Sequence, residues 1–302
     1  MQIKLESTQE RERALFDLVQ SSNMAALGSL LNIGTNPNAV MPDATGRRPL
    51  HVAAQCGNTG AILFLLEAGA DLSLCDTRSM TPLHCAAETS EKAVRLLIER
   101  GAQLEGYNNW GATPLHCAAN AGRAAAVRAL LESGANAHAE TNRSRSTALH
   151  LAADQGSPEV CEILLAQGVK VDALNSEDQT ALYIAATKGQ LGACRVLVAA
   201  GSSPDYIPNK RDYSPTFRSP LQASVLHGRT EVVKYFLLTC HANHQLRSHG
   251  GEKLSALARD HSDIRSLLMS LETEADLANV ITDATASTDQ PAFSPARGPG
   301  LL

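Results

Sequence analysis

Aromatic side chains are scarce in this 302-residue chain: five Phe, five Tyr and one Trp, 4% of the total. Hydrophobic residues still make up 44%, so any core must be built largely from Ala, Leu and Val, which suits short, closely stacked helices better than a sheet sandwich. Long apolar runs are missing too. No stretch approaches the ~18 residues that a membrane span needs, and Met1-Gln2-Ile3-Lys4-Leu5-Glu6 has no apolar h-region and carries acid that a mitochondrial presequence avoids. A soluble protein is expected. Charge of one sign is lacking as well: a net charge of −5 provides no basic stripe for nucleic acid, so neither nucleic acid nor membrane is an expected partner. The seven cysteines (56, 75, 85, 117, 161, 194, 240) are odd in number and scattered through predicted helices and turns, in a chain without a secretory leader. They read as reduced thiols, which places the protein in cytoplasm or nucleus. Catalytic signatures are absent: there is no Gly-x-Ser-x-Gly elbow, no phosphate-cradling Gly-rich loop and no His-Glu-x-x-His helix. No enzymatic activity and no cofactor are expected.

What the chain has in abundance is copies of one segment. Thr113-Pro114-Leu115-His116-Cys117-Ala118-Ala119 recurs as Arg48-Pro49-Leu50-His51-Val52-Ala53-Ala54, Thr81-Pro82-Leu83-His84-Cys85-Ala86-Ala87, Thr147-Ala148-Leu149-His150-Leu151-Ala152-Ala153 and Thr180-Ala181-Leu182-Tyr183-Ile184-Ala185-Ala186, and more weakly from Ser219-Pro220-Leu221. The second positions fall at 49, 82, 114, 148, 181 and 220, in steps of 33, 32, 34, 33 and 39. In the third copy Thr113 is placed to cap a helix and Pro114 to open it, where its missing N–H costs nothing. Ala118 and Ala119 are small enough to admit a neighbour. Gly122 ends the helix, and a second helix carrying Val127, Leu130 and Leu131 runs to Gly134. Helices this short need stacking for their stability.

A period near 33 residues with this motif resembles the ankyrin repeat family. The resemblance implies an all-α solenoid of about seven or eight units, degenerate caps included, whose connectors project as short β-hairpin fingers. The units are expected near 14–43, 45–76, 77–109, 110–142, 143–175, 176–208, 209–244 and 245–272, after a flexible segment over 1–13 and before a tail over 273–302 that is too poor in apolar residues to fold. Gln222 stands where the motif has histidine, and Cys240 where a closing glycine is due.

Histidines 51, 84, 116 and 150, with Cys85 and Cys117 beside two of them, could be taken for zinc ligands. Their separation by whole repeats and Tyr183 in the same place speak against it, and the resemblance implies a structural ring bonded to loop backbone and to the motif threonine. No metal is expected.

The connectors are more informative. From closing glycine to next motif they span 12 residues for Gly69–Thr81, Gly101–Thr113 and Gly168–Thr180, 13 for Gly134–Thr147 and 18 for Gly201–Ser219. Tyr107, Trp110, Tyr206, Tyr213 and Phe217 lie in them, as do Arg143, Arg145, Lys210, Arg211 and Arg218. Aromatics and basic residues on connectors are the makings of a partner-binding surface, and the basic set suits an acidic peptide or phosphogroup. The resemblance adds a groove, which maps to Gln55, Glu88, Asn120, Asp154, Thr187 and Leu226. It also marks Asn38, four residues past Gly34, as the one candidate for asparagine hydroxylation; Ser294, before Pro295, is a candidate phosphorylation site.

The expected function is a monomeric, non-catalytic scaffold or adaptor that binds a partner protein along fingers and groove. The alternatives are an inhibitor that masks an enzyme or transcription factor, and a substrate-recognition adaptor of a ubiquitin ligase, for which the C-terminal region lacks the Leu/Pro/Cys pattern of a recruiting box.

Overall fold

A computed structural model describes residues 7–208, 218–247 and 251–273. Helices come in pairs: α1 (Thr8–Ser21) with α2 (Met24–Asn32), α3 (Pro49–Gln55) with α4 (Thr59–Glu67), α5 (Pro82–Ala87) with α6 (Glu91–Glu99), and α7 (Pro114–Asn120) with α8 (Ala124–Glu132). Next come α9 (Ala148–Gln155) with α10 (Pro158–Ala166), α11 (Ala181–Lys188) with α12 (Leu191–Ala199), and α13 (Pro220–Leu226) with α14 (Thr230–Lys234). A π-helical turn over Tyr235–Thr239, α15 (Leu254–Leu257) and a helical stretch over 262–273 complete the array. First helices touch first helices of the neighbouring pairs and second helices touch second helices. The result is a two-layered solenoid.

The layers close because the facing side chains are small. Ala118, Ala119, Ala152 and Ala153 are fully buried between first helices, while Leu97, Leu130, Leu164 and Leu197 fill the matching place under the second layer. Gly122 turns the chain between α7 and α8 with φ +65°, and a Cβ there would meet Ser157 Oγ at 2.5 Å. At the N-terminus the helix starts inside the stretch that composition marks as flexible. Ser7 Oγ accepts from Glu10 N (3.2 Å) and the Glu10 carboxylate accepts from Ser7 N (3.1 Å), a reciprocal capping box that holds the first turn of α1. Where Cys240 replaces glycine, the positive φ moves one residue on, to His241, and Ala242 N reaches back to Phe236 O (2.9 Å). The π turn absorbs the extra residue.

The motif histidines tie one unit to the next. In His84, Nδ1 accepts from Thr81 N (3.1 Å) and lies 2.8 Å from Thr81 Oγ1, while Nε2 meets Ala112 O of the following connector at 3.1 Å. His116 repeats the arrangement with Thr113 and Ala139 O, His150 with Thr147, Ala173 O and Gln179 O, and His51 with Arg48 N and Met80 O. With Nδ1 accepting, Nε2 carries the proton and donates outwards. The hydroxyls of Thr113 and Thr147 therefore face the imidazole, which takes the place of the acidic member of a capping box. Gln222 reproduces both bonds: its Oε1 accepts from Ser219 N (3.0 Å) and its Nε2 donates to Arg247 O (2.8 Å). Tyr183 takes the histidine's place in α11, and the connector that follows it is the long one.

Among the described residues the fingers are tight hairpin turns, and one antiparallel bridge, Glu140 to Thr147, forms between their stems. Their shape comes from a polar side chain six residues before the motif helix. Asp76 Oδ1 accepts from Arg78 N (2.8 Å) and Met80 N (2.9 Å), Asn108 Oδ1 from Trp110 N and Ala112 N (both 3.0 Å), and Asn175 Oδ1 from Glu177 N and Gln179 N (both 2.9 Å). Three residues before the helix the backbone is left-handed at Gly46, Ser79, Gly111, Arg145 and Asp178. Three neighbouring pairs of fingers are also pinned together by backbone bonds, Thr77 N to Thr45 O (2.9 Å), Asn109 N to Arg78 O (3.0 Å) and Ser176 N to Ser144 O (2.8 Å). Each finger also closes on itself, Asp76 N to Met80 O (3.0 Å), Asn108 N to Ala112 O (3.0 Å), Thr141 N to Ser146 O (3.0 Å) and Asn175 N to Gln179 O (3.1 Å).

Two outcomes follow from this packing. Leu130 is fully buried, so Leu130→Ala should cost roughly 2 to 5 kcal/mol in urea unfolding; a loss under about half a kcal/mol would show that the site collapses without penalty. The second concerns acid. Burial holds the pKa of His51, His84, His116 and His150 below the usual 6.5, and that of His84 falls to about 4. The unfolded chain therefore binds protons more tightly, and the stability these rings contribute is complete above about pH 6.5 and lost as pH falls towards 4. Gln222 shows that glutamine can make the same bonds, so His84→Gln should flatten the decline between pH 7.5 and 5 by about 2 kcal/mol. Equal pH slopes for the two proteins would refute a buried neutral ring at this position.

Candidate functional site

The pinned fingers and the first helices form the two walls of a groove. Three residue rows line it, each recurring once per repeat. The finger wall carries the residue four before the motif helix: Thr45, Arg78, Trp110 and Glu177, each held by an Asx turn, and Ser144, whose hydroxyl meets those of Thr141 (2.8 Å) and Ser146 (2.9 Å). The floor carries the third residue after the helix opens, Cys85, Cys117, Leu151 and Ile184, and the helix wall the sixth, Glu88, Asn120, Asp154 and Thr187. A cavity of about 500 Å³ lies where Arg78, Trp110 and Arg143 face Glu88 and Asn120 over Cys117 and Leu151. Another of about 310 Å³, sharing Ser144 and Leu151 with it, continues to Glu177, Thr187 and Lys188.

Trp110 is 46% exposed and is the only tryptophan in the chain. Its own backbone N–H is bonded to Asn108, so the indole stands at a fixed place on the wall while its ring stays open to solvent. Arg78 is steadied by Asp76 (3.7 Å), a fully buried carboxylate that it shares with Arg47 (3.8 Å). Arg143 is exposed and has no carboxylate within 4 Å among the described residues. On the opposite wall Glu88 is half-buried; burial raises its pKa, against the pull of Arg78 and Arg47. Asp154 is matched by Lys188 at 3.1 Å. Finger and helix walls thus carry opposite charge on either side of an apolar floor.

From the residues singled out by sequence, the structure brings Trp110 and Arg143 of the fingers together with Glu88 and Asn120 of the groove. The other finger residues lie elsewhere. Tyr107 is 51% exposed on the Trp110 finger but outside the cavity lining. Arg145 turns to Glu140 of its own finger (3.0 Å). Tyr206 is half-buried at the start of the long connector, and Arg218, at its end, lies near His227, whose pKa is lowered by burial, then by Arg229 and Arg218. The stems of that connector are close, since Leu221 N donates to Pro204 O (3.0 Å). Lys210, Arg211, Tyr213 and Phe217 lie outside the described residues, as does Ser294. Asn38 spends both ends of its amide on the next connector, Nδ2 to Gly69 O (3.1 Å) and Oδ1 from Asp71 N (2.9 Å), a stitching role. The motif histidines have both ring nitrogens engaged by Thr and backbone groups, which leaves no lone pair for a metal. Arg78, Met80 and Leu151 were missed by sequence reasoning; Arg78 shares the register of Trp110, and that alignment could have found it.

The groove depends on how closely the third and fourth fingers approach. Gly111 has φ +70°, and a Cβ there would sit 2.3 Å from the backbone N of Asn142, a clash that no rotamer change relieves. Gly111→Ala should therefore push the Trp110 and Arg143 fingers apart, cost about 2 kcal/mol or more, and shift the emission of Trp110. Unchanged melting and unchanged emission would show that the fingers are not held at this spacing.

The comparisons with known proteins agree with this geometry. The family described as "Ankyrin repeats (3 copies)" matches residues 68–141 and 134–212, and "Ankyrin repeats (many copies)" matches 30–88. Human NF-kappa-B inhibitor zeta is 29% identical over 143 residues, 45% of this chain and 19% of that protein, and mouse NF-kappa-B inhibitor delta is 31% identical over 138 residues, 45% of this chain and 38% of that protein. The chain thus spans well under half the length of these relatives. The crystal structure of the human ASB11 ankyrin repeat domain superposes with a TM-score of 0.65 at 31% identity, covering 74% of this chain and 97% of that one. With the repeat motif, the stacked pairs and the finger turns in the same register, the chain belongs to the ankyrin repeat family.

Proposed function

We propose that this protein is a non-catalytic scaffold that captures a segment of a partner protein in the groove between its third and fourth fingers. The observation that carries this reading is the open cavity of about 500 Å³ walled by Trp110, Arg78 and Arg143 on fingers fixed by backbone bonds. A large aromatic, half-exposed on a rigid wall above an apolar floor, is the arrangement from which binding hot spots are made. Preformed walls also reduce the ordering cost of association. Tyr107 on the same finger and Arg145 on the next extend the surface at the finger tips. The connector over 205–218, with Tyr206, Lys210, Arg211, Tyr213, Phe217 and Arg218, is a second, separate contact region. The unpaired-cysteine pattern supports a place in cytoplasm or nucleus.

A second reading is an inhibitor whose binding masks an enzyme or transcription factor, and the likeness to two proteins named as NF-kappa-B inhibitors favours it. It uses the same groove and differs in what happens to the partner.

The test is affinity capture from cell extract with the intact chain, quantified by mass spectrometry, beside three variants. Trp110→Ala/Arg143→Ala should lose the specifically bound proteins by tenfold or more, about 1.4 kcal/mol. Arg128→Ala, which breaks only the exposed pair with Glu159 on the second-helix face, should keep them. Replacement of 206–217 by a short Gly-containing turn should remove only proteins that need the second region. Retention of the full set by the groove variant would rule out the groove as the recognition surface.

A further inference from the structure

The charge on the two walls specifies what lies between them. Along the finger wall Arg78 and Arg143 stand on either side of Trp110, one repeat away in each direction. Neither guanidinium stacks on the indole; the only cation–π contact among the described residues is Arg195 over Tyr235, at the far side of the array. Arg143 has no acidic partner among the described residues, and Arg78 shares one buried carboxylate with Arg47, so the finger wall keeps positive charge to offer. On the helix wall Glu88 lines the same cavity, half-buried, with no ion-pair partner within 4 Å among the described residues. Arg78 and Arg47 act on this carboxylate only from beyond ion-pair distance, and a carboxylate half out of water with no direct donor is better satisfied when a partner supplies one. The floor between the walls, Cys117 and Leu151, is apolar.

An extended chain is the shape that fits such a trough, because its successive side chains point to opposite sides. Stacked helices lie roughly 9 Å apart, so the fingers of Arg78 and Arg143, two repeats apart, are separated by roughly 18 Å. At about 3.3 Å per residue this is about six residues of extended chain. An even number keeps both ends on the same face.

We propose that the groove selects an extended peptide segment with acidic side chains about six residues apart facing Arg78 and Arg143, an apolar side chain between them over Trp110, and a basic side chain on the opposite face for Glu88. This specification rests on the groove reading above and adds the chemical class of its occupant. Sequence reasoning treated the basic finger residues as one set suited to an acidic ligand; Glu88 changes that to an occupant of mixed sign.

The experiment is a titration of the intact chain with unlabelled synthetic peptides that lack Trp and Tyr, followed by the emission of Trp110. The matched peptide has Glu at the two outer positions of one face, Leu between them, Lys beside the first Glu on the other face, and Ser or Gly elsewhere. Its controls are the same peptide with Glu and Lys exchanged and one in which the residues are scrambled. The matched peptide should bind at least tenfold more tightly than either control and weaken as salt is raised. Arg143→Glu, at an exposed position that folding does not depend on, should weaken the matched peptide about fivefold or more, with the loss recovered by a peptide carrying Lys in place of the second Glu. Glu88→Gln should weaken the matched peptide and leave a version with Gly for Lys unaffected. Equal affinity for matched and sign-exchanged peptides, no response to Arg143→Glu, or no binding of the matched peptide would each overturn the charge pattern. If capture from extract still depends on Trp110 in that case, the groove reading stands and only the occupant's chemistry is wrong; if capture is also indifferent to Trp110, both fall.

Discussion

A helix of six to nine residues makes too few internal hydrogen bonds to offset its own nucleation, so every element here depends on a bond that leaves its repeat. In α3, α5, α7, α9 and α13 that bond runs from the third residue of the helix to a carbonyl of the next connector, through Nε2 of His51, His84, His116 and His150 and through the amide of Gln222. It joins a helix to a finger that is otherwise remote in the sequence. The finger is then fixed by its Asx turn and pinned to its neighbour. The groove wall is thus a consequence of the stacking chemistry and needs no contacts of its own. The imidazoles are neutral for the same reason: one nitrogen must accept and the other donate, and a second proton would set two donors face to face in a buried site.

Gln222 separates what this position requires from what usually fills it. A side chain with an acceptor for the capping N–H and a donor that reaches the next connector suffices, and the planar amide provides both. Tyr183 stands in that place ahead of the longest connector, from Gly201 to Ser219.

Much of the fold was legible from Thr113-Pro114-Leu115-His116 and its copies, because period, caps, glycines and the leucines under the second layer are local or periodic features. Leu130, Ala118 and Ala119 sit where their spacing puts them. Other features were not legible because their causes act across repeats. The capping box of Ser7 and Glu10 is a local signal that was passed over in a charged segment. The fingers read as short hairpins and close as such, but the bonds from Thr77, Asn109 and Ser176 N–H to the preceding finger leave no mark in the sequence. Of the candidate site, Trp110 and Arg143 could be picked out by type, but not their adjacency, nor the exclusion of Arg145 by Glu140. Glu88 was placed in the groove by the repeat register, but Arg78, and the opposition of the two, needed the walls to be set facing each other.

The rows that line the groove play almost no part in holding the array together. Arg78, Trp110 and Glu177 are fixed through their backbone N–H groups by Asp76, Asn108 and Asn175, so the turn places the residue whatever its side chain. On the helix wall Glu88, Asn120 and Asp154 follow the buried Ala-Ala pairs and project past them. Substitution in either row leaves the stack, the caps and the histidine bonds untouched. The family motif and the partner's identity are therefore written in different registers of the same repeat, one constrained by burial and hydrogen bonding and the other free to vary with the ligand. A motif search reads the first register and is blind to the second, and for that reason the segment most characteristic of this chain says least about what it binds. The opposition of Arg78 and Arg143 to Glu88 across Trp110 belongs to the second register, which the stacking of the repeats leaves unconstrained.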